Sequence, residues 1–208
     1  MKVVLFGASG MIGSRILEEL LSRGHQVTAV VRNPEKVTAK GATVVKGDVT
    51  DAASVAAAAK GAEAAISAYA PPQDQPEKLL AATGSVLEGL KATGVGRLIA
   101  VSGAGSLEVA PGVQLVDTPS FPAAWKPIAL AHREALSILK GSSLEWSALS
   151  PAALIGPGER TGKFRLGDTA LVVDEKGDSR ISAEDYAVAL VDELEKPQHV
   201  RRQFTVAY

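Results

Sequence analysis

Residues 3–13 constrain the fold more than any other stretch of the chain. Val3, Val4, Leu5 and Phe6 form an unbroken apolar run, the pattern of a strand buried on both faces of a parallel sheet. The run enters Gly7-Ala8-Ser9-Gly10-Met11-Ile12-Gly13. From Met11 to Arg23 the apolar residues Ile12, Ile16, Leu17, Leu20 and Leu21 recur at helical spacing, and Gly24 ends the run. Between a strand and a helix, each glycine of a Gly-x-x-Gly-x-x-Gly turn has a physical task. Gly7 permits the tight turn, Gly10 lets backbone approach a pyrophosphate without an intervening Cβ, and Gly13 allows helix to pack closely on strand. A pyrophosphate there would rest on the unpaired N–H groups of the helix N-terminus, along the favourable direction of the helix dipole. A glycine turn can also merely connect two elements; here strand, turn, helix and second strand fall in register, which points to a dinucleotide.

The rest of the chain continues the alternation. Strands are expected over Gln26–Val31, Thr43–Lys46, Ala64–Ala68, Arg97–Ser102, Leu144–Leu149 and Gln203–Val206. Helices are expected over Ala52–Lys60, Gln75–Thr93, Trp125–Lys140 with Pro127 in its first turn, and Ser182–Glu195. Ser182 and Asp185 open the last of these with a capping-box-like signal. Alternating strands and helices imply right-handed crossovers and an α/β doubly wound parallel sheet, a Rossmann fold in a single domain over 1–208. Two stretches of about 103–125 and 155–180, rich in Gly and Pro, read as loops on the substrate side and form a small C-terminal elaboration.

Composition narrows the partners. The formal net charge is −1, so no global basic field concentrates a polyanion, which argues against nucleic acid as the main partner. Cysteine is absent, which removes disulfides and thiolate chemistry and fits a reducing cytosol. The apolar start is too short for a signal-peptide core, and no stretch reaches the ~18–20 apolar residues that span a bilayer, so a cytoplasmic protein without membrane partners is expected.

The end of the second strand helps to choose the dinucleotide. It reads Val30-Val31-Arg32-Asn33, with Arg32 where an NAD-preferring unit carries an acid for the ribose 2′-hydroxyl. A guanidinium can pair with the 2′-phosphate of NADP and stack beside the adenine; the bland alternative is a solvated strand-end charge. NADP(H) is therefore expected ahead of NAD(H), with Glu35 and Lys36 near enough to modify the preference. Asp48 either accepts from the adenine amino group or caps the next helix, as Asp51 could. Ala68-Tyr69-Ala70 and Ser102-Gly103 should lie at the carboxyl edge of the sheet, where ligands bind in such folds.

With the glycine turn, Arg32, Gly47-Asp48-Val49 and Val101-Ser102-Gly103 in this order, the chain resembles the atypical short-chain dehydrogenase/reductase superfamily. More closely it is similar to the NADH-flavin reductase group, relatives of biliverdin reductase B and NmrA-like proteins. Gly103-Ala104-Gly105-Ser106-Leu107, Val116-Asp117-Thr118-Pro119, Ser150-Pro151-Ala152-Ala153, Pro157-Gly158-Glu159-Arg160-Thr161-Gly162 and Glu195-Lys196-Pro197-Gln198-His199 extend the likeness over nearly the whole chain. The resemblance implies a dinucleotide site lined by Gly7, Ser9, Gly10, Met11, Ile12, Arg32, Asp48, Val49, Ala68, Ser102 and Pro151, with Pro151 and Ala152 near the nicotinamide. Gly13, Tyr69 and Gly103 complete the candidate cofactor residues.

Dehydrogenases of this superfamily that act on alcohols and ketones use a Tyr with a Lys four residues later to exchange a proton with substrate oxygen. Tyr69 is followed at that distance by Gln73, Tyr186 by Leu190, and Tyr208 is the last residue. Without the pair, hydride transfer to a flavin, quinone or similar conjugated acceptor fits better, because proximity and ring orientation supply most of the catalysis and solvent can supply the proton. Flavin would then be a substrate rather than a bound group. Ser102 is the first candidate for a polar catalytic contact, set against a strand-end serine bonded to backbone, and His132 is a second, set against a packed helix histidine. Phe121, Trp125 and Phe164 either stack on an aromatic acceptor or pack as core. Arg160, Lys163 and Arg165 either meet a flavin phosphate or form a solvated charge run. The three histidines lack ligand spacing, so no metal is expected. The expected partner is a small aromatic acceptor, on a monomer or homodimer. The competing reading is a non-catalytic redox sensor that binds NAD(P) as NmrA-like proteins do.

Overall fold

The computed structural model describes residues 1–208. The first half supplies strands β1 (Lys2–Phe6), β2 (Gln26–Val31), β3 (Thr43–Lys46), β4 (Ala64–Ser67) and β5 (Arg97–Val101), connected by helices α1 (Met11–Ser22), α2 (Ala52–Ala59) and α3 (Lys78–Thr93). The second half adds a short hairpin, β6 (Glu108–Ala110) and β7 (Val113–Gln114), then α4 (Lys126–Lys140) and β8 (Glu145–Pro151). Three short strands, β9 (Leu154–Gly156), β10 (Arg165–Gly167) and β11 (Arg180–Ser182), precede α5 (Ala183–Glu195) and β12 (Arg202–Ala207).

Eight strands form one sheet in the order β3-β2-β1-β4-β5-β8-β12-β10, with β9 and β11 paired in a separate ribbon. Neighbours in the large sheet run parallel, except that β10 closes the edge antiparallel to β12. The apolar run of β1 has its reason here, since Val3, Val4, Leu5 and Phe6 are each no more than 1% exposed at the centre of the sheet. Leu5, Ile16, Leu17, Ile66, Leu190 and Phe204 join one face to α1 and α5. Phe6, Val55, Val86, Leu90, Leu98 and Trp146 join the other face to α2, α3 and α4. This is the doubly wound Rossmann sheet in a single domain.

Boundaries differ from expectation where local hydrogen bonding competes. α3 starts at Lys78 rather than Gln75, because residues 72–79 first form tight turns, with the Gln75 N–H on the Pro72 carbonyl (3.0 Å) and the Leu79 N–H on that of Pro76 (3.1 Å). β5 ends at Val101, leaving Ser102 just past the strand. The stretch 103–125 is not plain loop; it holds three 3-10 turns and the β6–β7 hairpin. Residues 155–180 likewise include β10 and the ends of β9 and β11. Pro127 does lie in the first turn of α4.

At α5, Ser182 caps as its spacing predicts, its hydroxyl accepting from the Asp185 N–H (3.0 Å). The Asp185 carboxylate does not complete the box. Fully buried, it accepts from the N–H groups of Thr161 and Gly162 (both 2.8 Å), the Thr161 hydroxyl (2.5 Å) and the Tyr208 hydroxyl (2.9 Å). Glu184 beside it pairs with Arg15 of α1 (3.0 Å) and accepts from the Gly158 N–H (2.8 Å). The segment 158–162 is therefore fastened to α1 and α5.

Candidate dinucleotide site

The glycine turn lies where β1 meets α1. Gly7 has φ +82°, and a Cβ there would sit 2.5 Å from the Ala68 carbonyl oxygen, so the turn rests directly on the end of β4. A Cβ on Gly13 would sit 2.0 Å from the Gly7 carbonyl oxygen, which is the close helix-to-turn packing expected of the third glycine. Gly10 differs. Its φ is −77°, and a Cβ would meet nothing closer than the Gly7 oxygen at 3.4 Å. Packing within the protein does not require glycine at this position. Gly10 opens α1 without a side-chain cap, and the N–H groups of Met11, Ile12 and Gly13 find no acceptor in the protein. Three free donors beside a glycine with room above it fit a diphosphate.

A cleft of about 230 Å³ runs along the carboxyl edge from this turn. Gly7, Ser9 and Gly10 form one end; Val30, Val31 and Arg32 come from the end of β2. Gly47, Asp48, Val49 and Thr50 follow β3, and Ala68, Tyr69 and Ala70 follow β4. Lys36 and Lys78 complete the lining. Of the expected cofactor residues, Gly7, Ser9, Gly10, Arg32, Asp48, Val49, Ala68 and Tyr69 thus share one cleft. Met11, Ile12 and Gly13 adjoin it through their free N–H groups rather than lining it.

Arg32 is exposed and makes no ion pair or side-chain hydrogen bond, whereas Arg15, Arg23, Arg97, Arg133, Arg160 and Arg202 all pair with carboxylates. The open question at Asp48 resolves locally. Asp51 caps α2, accepting from the Ala53 N–H (3.0 Å), while Asp48 Oδ1 accepts from the Thr50 N–H (2.9 Å) and hydroxyl (2.7 Å). The Thr50 hydroxyl and N–H, with smaller help from Arg32 and Lys78 and against some burial, hold the Asp48 carboxyl below its usual range. Its Oδ2 accepts no hydrogen bond from the protein.

A small hollow of about 20 Å³ shares Tyr69 with the cleft and is otherwise mostly apolar, with Ser102 and His132 among its lining. Ser102 is 6% exposed, and its N–H donates to the Leu149 carbonyl (2.8 Å). Its hydroxyl has no protein partner, unlike a strand-end serine bonded to backbone. His132 is half-buried by surface, yet its ring is enclosed enough that burial lowers its pKa to about 4. It is neutral at pH 7 and cannot serve there as an imidazolium acid. Gly103 makes room for it, since a Cβ would lie 2.9 Å from that of His132. Pro151 and Ala152 are buried at the end of β8 and line neither the cleft nor the hollow.

Several other candidates are engaged elsewhere. Arg160 is taken up by two hydrogen bonds to Glu19 (2.8 and 2.9 Å); Arg165 donates to the Val173 (2.8 Å) and Tyr208 carbonyls without an ion pair, and Lys163 stays exposed. Hydrogen bonds from Arg160 and then Arg23, against burial, keep the Glu19 carboxyl below its usual range. Trp125 is 51% exposed, while Phe164 packs on the core. His25 pairs with Glu195 (2.9 Å) and His199 with Glu193 (2.8 Å), far from His132 in chain and partner. Lys78 and Thr50 went unread in the sequence. With this helix expected from Gln75, Lys78 fell at its fourth position and gave no helix-end signal.

The family model for NAD(P)H-binding proteins matches residues 7–197. The Bacillus subtilis (strain 168) uncharacterized protein YwnB is 40% identical over 210 residues, covering 99% of this chain and 98% of that one. A 3-diazoavenalumate denitrifying reductase from Streptomyces is 30% identical over 191 residues, or 83% of this chain and 62% of that one. Among solved structures, a Burkholderia pseudomallei protein provisionally named as exported is 51% identical, with TM-score 0.93 and full coverage of both chains. A Streptococcus pneumoniae TIGR4 protein provisionally named an NADH-flavin reductase is 35% identical, with TM-score 0.91, covering 100% of this chain and 99% of that one. No helix is long and apolar enough to cross a membrane. Strand order, glycine turn and relatives agree: the chain belongs to the NAD(P)H-binding family.

Proposed function

We propose that the protein is an NADPH-preferring reductase that passes hydride directly to a flavin, quinone or similar conjugated acceptor. The observation that carries the acceptor class is the state of the tyrosines. Tyr186 is sealed in the core, its hydroxyl donating to the Leu149 carbonyl (2.6 Å), and burial pushes its pKa well above the usual range. The Tyr208 hydroxyl donates to the Asp185 carboxylate (2.9 Å) and lies 2.8 Å from the Ser182 hydroxyl. Tyr69 alone reaches the cleft, and burial, with Asp48 adding and Arg32 opposing, raises its pKa instead of lowering it. An activated tyrosine needs the opposite shift. Reduction of a ketone to an alcohol would lack its proton donor, whereas a reduced flavin or quinone takes its proton from solvent.

When bound, the reduced nicotinamide supplies the hydride. The chain's part is to hold the diphosphate on the α1 N–H groups, to meet the 2′-phosphate with Arg32, and to offer the Ser102 hydroxyl to a carbonyl or carboxamide. Arg32 in a charge-assisted contact of ~1.5–3 kcal/mol gives NADPH roughly a ten- to hundredfold advantage over NADH. The test measures both dissociation constants for wild type and Arg32→Gln, then follows nicotinamide absorbance with FMN, FAD and a quinone. Equal affinities in the wild type would sink the NADPH preference. Tight binding with no turnover on any acceptor would replace the reductase with the sensor reading.

A further inference from the structure

Three side chains at the cleft carry positive charge: Arg32 and Lys36 after β2, and Lys78 at the start of α3. None of them forms an ion pair with the protein. Asp48 is the only carboxylate lining the same space, and one of its oxygens already holds two hydrogen bonds from Thr50. Three cations against one carboxylate leave two positive charges unmatched. A diphosphate does not call for them, because it has the free N–H groups of Met11, Ile12 and Gly13 at the other end of the cleft. An additional phosphate monoester, carrying between about one and a half and two negative charges at neutral pH, matches the excess.

Lys78 stands out among the three. It comes from α3, outside the β1–α1–β2 unit that carries the turn and Arg32. It is the first residue of α3, directly after the N-cap Glu77, and it is exposed with no hydrogen bond or ion pair from its side chain to the protein. An unpaired cation that lines the cleft with Arg32 is available to a ligand anion there.

We infer that Lys78 is a specificity-determining residue, delivering a second cation from α3 to the 2′-phosphate that Arg32 meets from β2. The inference rests on the dinucleotide reading of the cleft. It makes the preference for the phosphorylated dinucleotide a joint property of two elements, so that Arg32→Gln alone leaves a residual preference.

The test is fluorescence titration of the full chain, as wild type, Lys78→Gln and Lys78→Arg, with NADPH, NADH, and the nicotinamide-free pair 2′,5′-ADP and 5′-AMP. Lys78→Gln is expected to weaken NADPH and 2′,5′-ADP about tenfold while changing NADH and 5′-AMP less than about twofold. Lys78→Arg should restore most of the lost affinity. Because Lys78 is exposed, both variants should melt with the wild type, which separates binding from folding. Equal weakening of NADPH and NADH would put Lys78 on the diphosphate, and no change in either would make it a solvated charge; each result overturns the inference. A wild type that binds neither dinucleotide fails the underlying reading instead, and shows it before any variant is made.

Discussion

Adding one methyl group at each glycine of the turn separates folding from binding. Gly7→Ala puts a Cβ 2.5 Å from the Ala68 oxygen and 2.6 Å from its carbon, at φ +82°. The left-handed backbone costs an alanine about 1–2 kcal/mol, and relieving the overlap by moving β4 costs about 1–3 kcal/mol more. The sum is roughly 2–5 kcal/mol, and at about 2–4 °C per kcal/mol for a domain of this size Tm falls by about 5–20 °C. Gly13→Ala meets the Gly7 oxygen at 2.0 Å. Alanine is otherwise the better helix former by ~1 kcal/mol, so any net loss there comes from the overlap. Gly10→Ala has ordinary φ and no contact under 3.4 Å, so its Tm should stay within about 2 °C of wild type. The new Cβ nevertheless stands at the diphosphate position, and the NADPH dissociation constant should rise at least about tenfold, or ~1.4 kcal/mol. Calorimetry gives the first quantity and fluorescence titration the second. If Gly10→Ala binds like wild type, the diphosphate does not lie over this turn. If Gly7→Ala melts like wild type, the turn is not braced on Ala68.

His132 gives a pH signature. Its pKa falls from 6.5 to about 4 on folding, so between those values the unfolded chain takes up a proton that the native chain refuses. Its contribution is intact above about pH 6.5 and is lost as pH falls towards 4; His132→Gln should flatten that part of the stability profile by roughly 2–3 kcal/mol. A profile of unchanged slope would show that burial does not hold the ring neutral. Asp185→Asn removes a buried carboxylate from four donors and should cost roughly 2–4 kcal/mol, with amide exchange at Thr161 and Gly162 speeding up. Unaltered exchange there would mean that 158–162 is held by Glu184 and Arg160 instead.

The parts of the fold that were legible are those where one local cause dominates. The apolar run at Val3–Phe6 could only be a strand covered on both faces, Gly24 at φ +78° ends α1, and the Ser182 spacing announced a cap. Arg32 and Asp48 were readable because parallel strands place the residues just past β2 and β3 at one carboxyl edge. What stayed hidden depends on contacts distant in sequence. Asp185 looked like half of a capping box, but Thr161, Gly162 and Tyr208 take its carboxylate. Arg160 and Arg165 looked free until Glu19 and two carbonyls claimed them. Lys78 reaches the cleft only because α3 begins where it does, and tight turns after Pro72 move that start away from the periodic pattern.

Every residue lining the dinucleotide cleft falls between Gly7 and Lys78, whereas Ser102, Gly103 and His132 all come later in the chain. The cofactor half is thus a contiguous block of sequence, and the remainder can vary without rewriting it. On the proposed reading, one acceptor could be exchanged for another by changing the residues around Ser102 and His132 while the block from Gly7 to Lys78 was left untouched. Exchanging the segments after Lys78 between relatives then becomes an experiment on what the nucleotide block keeps when everything that follows it is replaced.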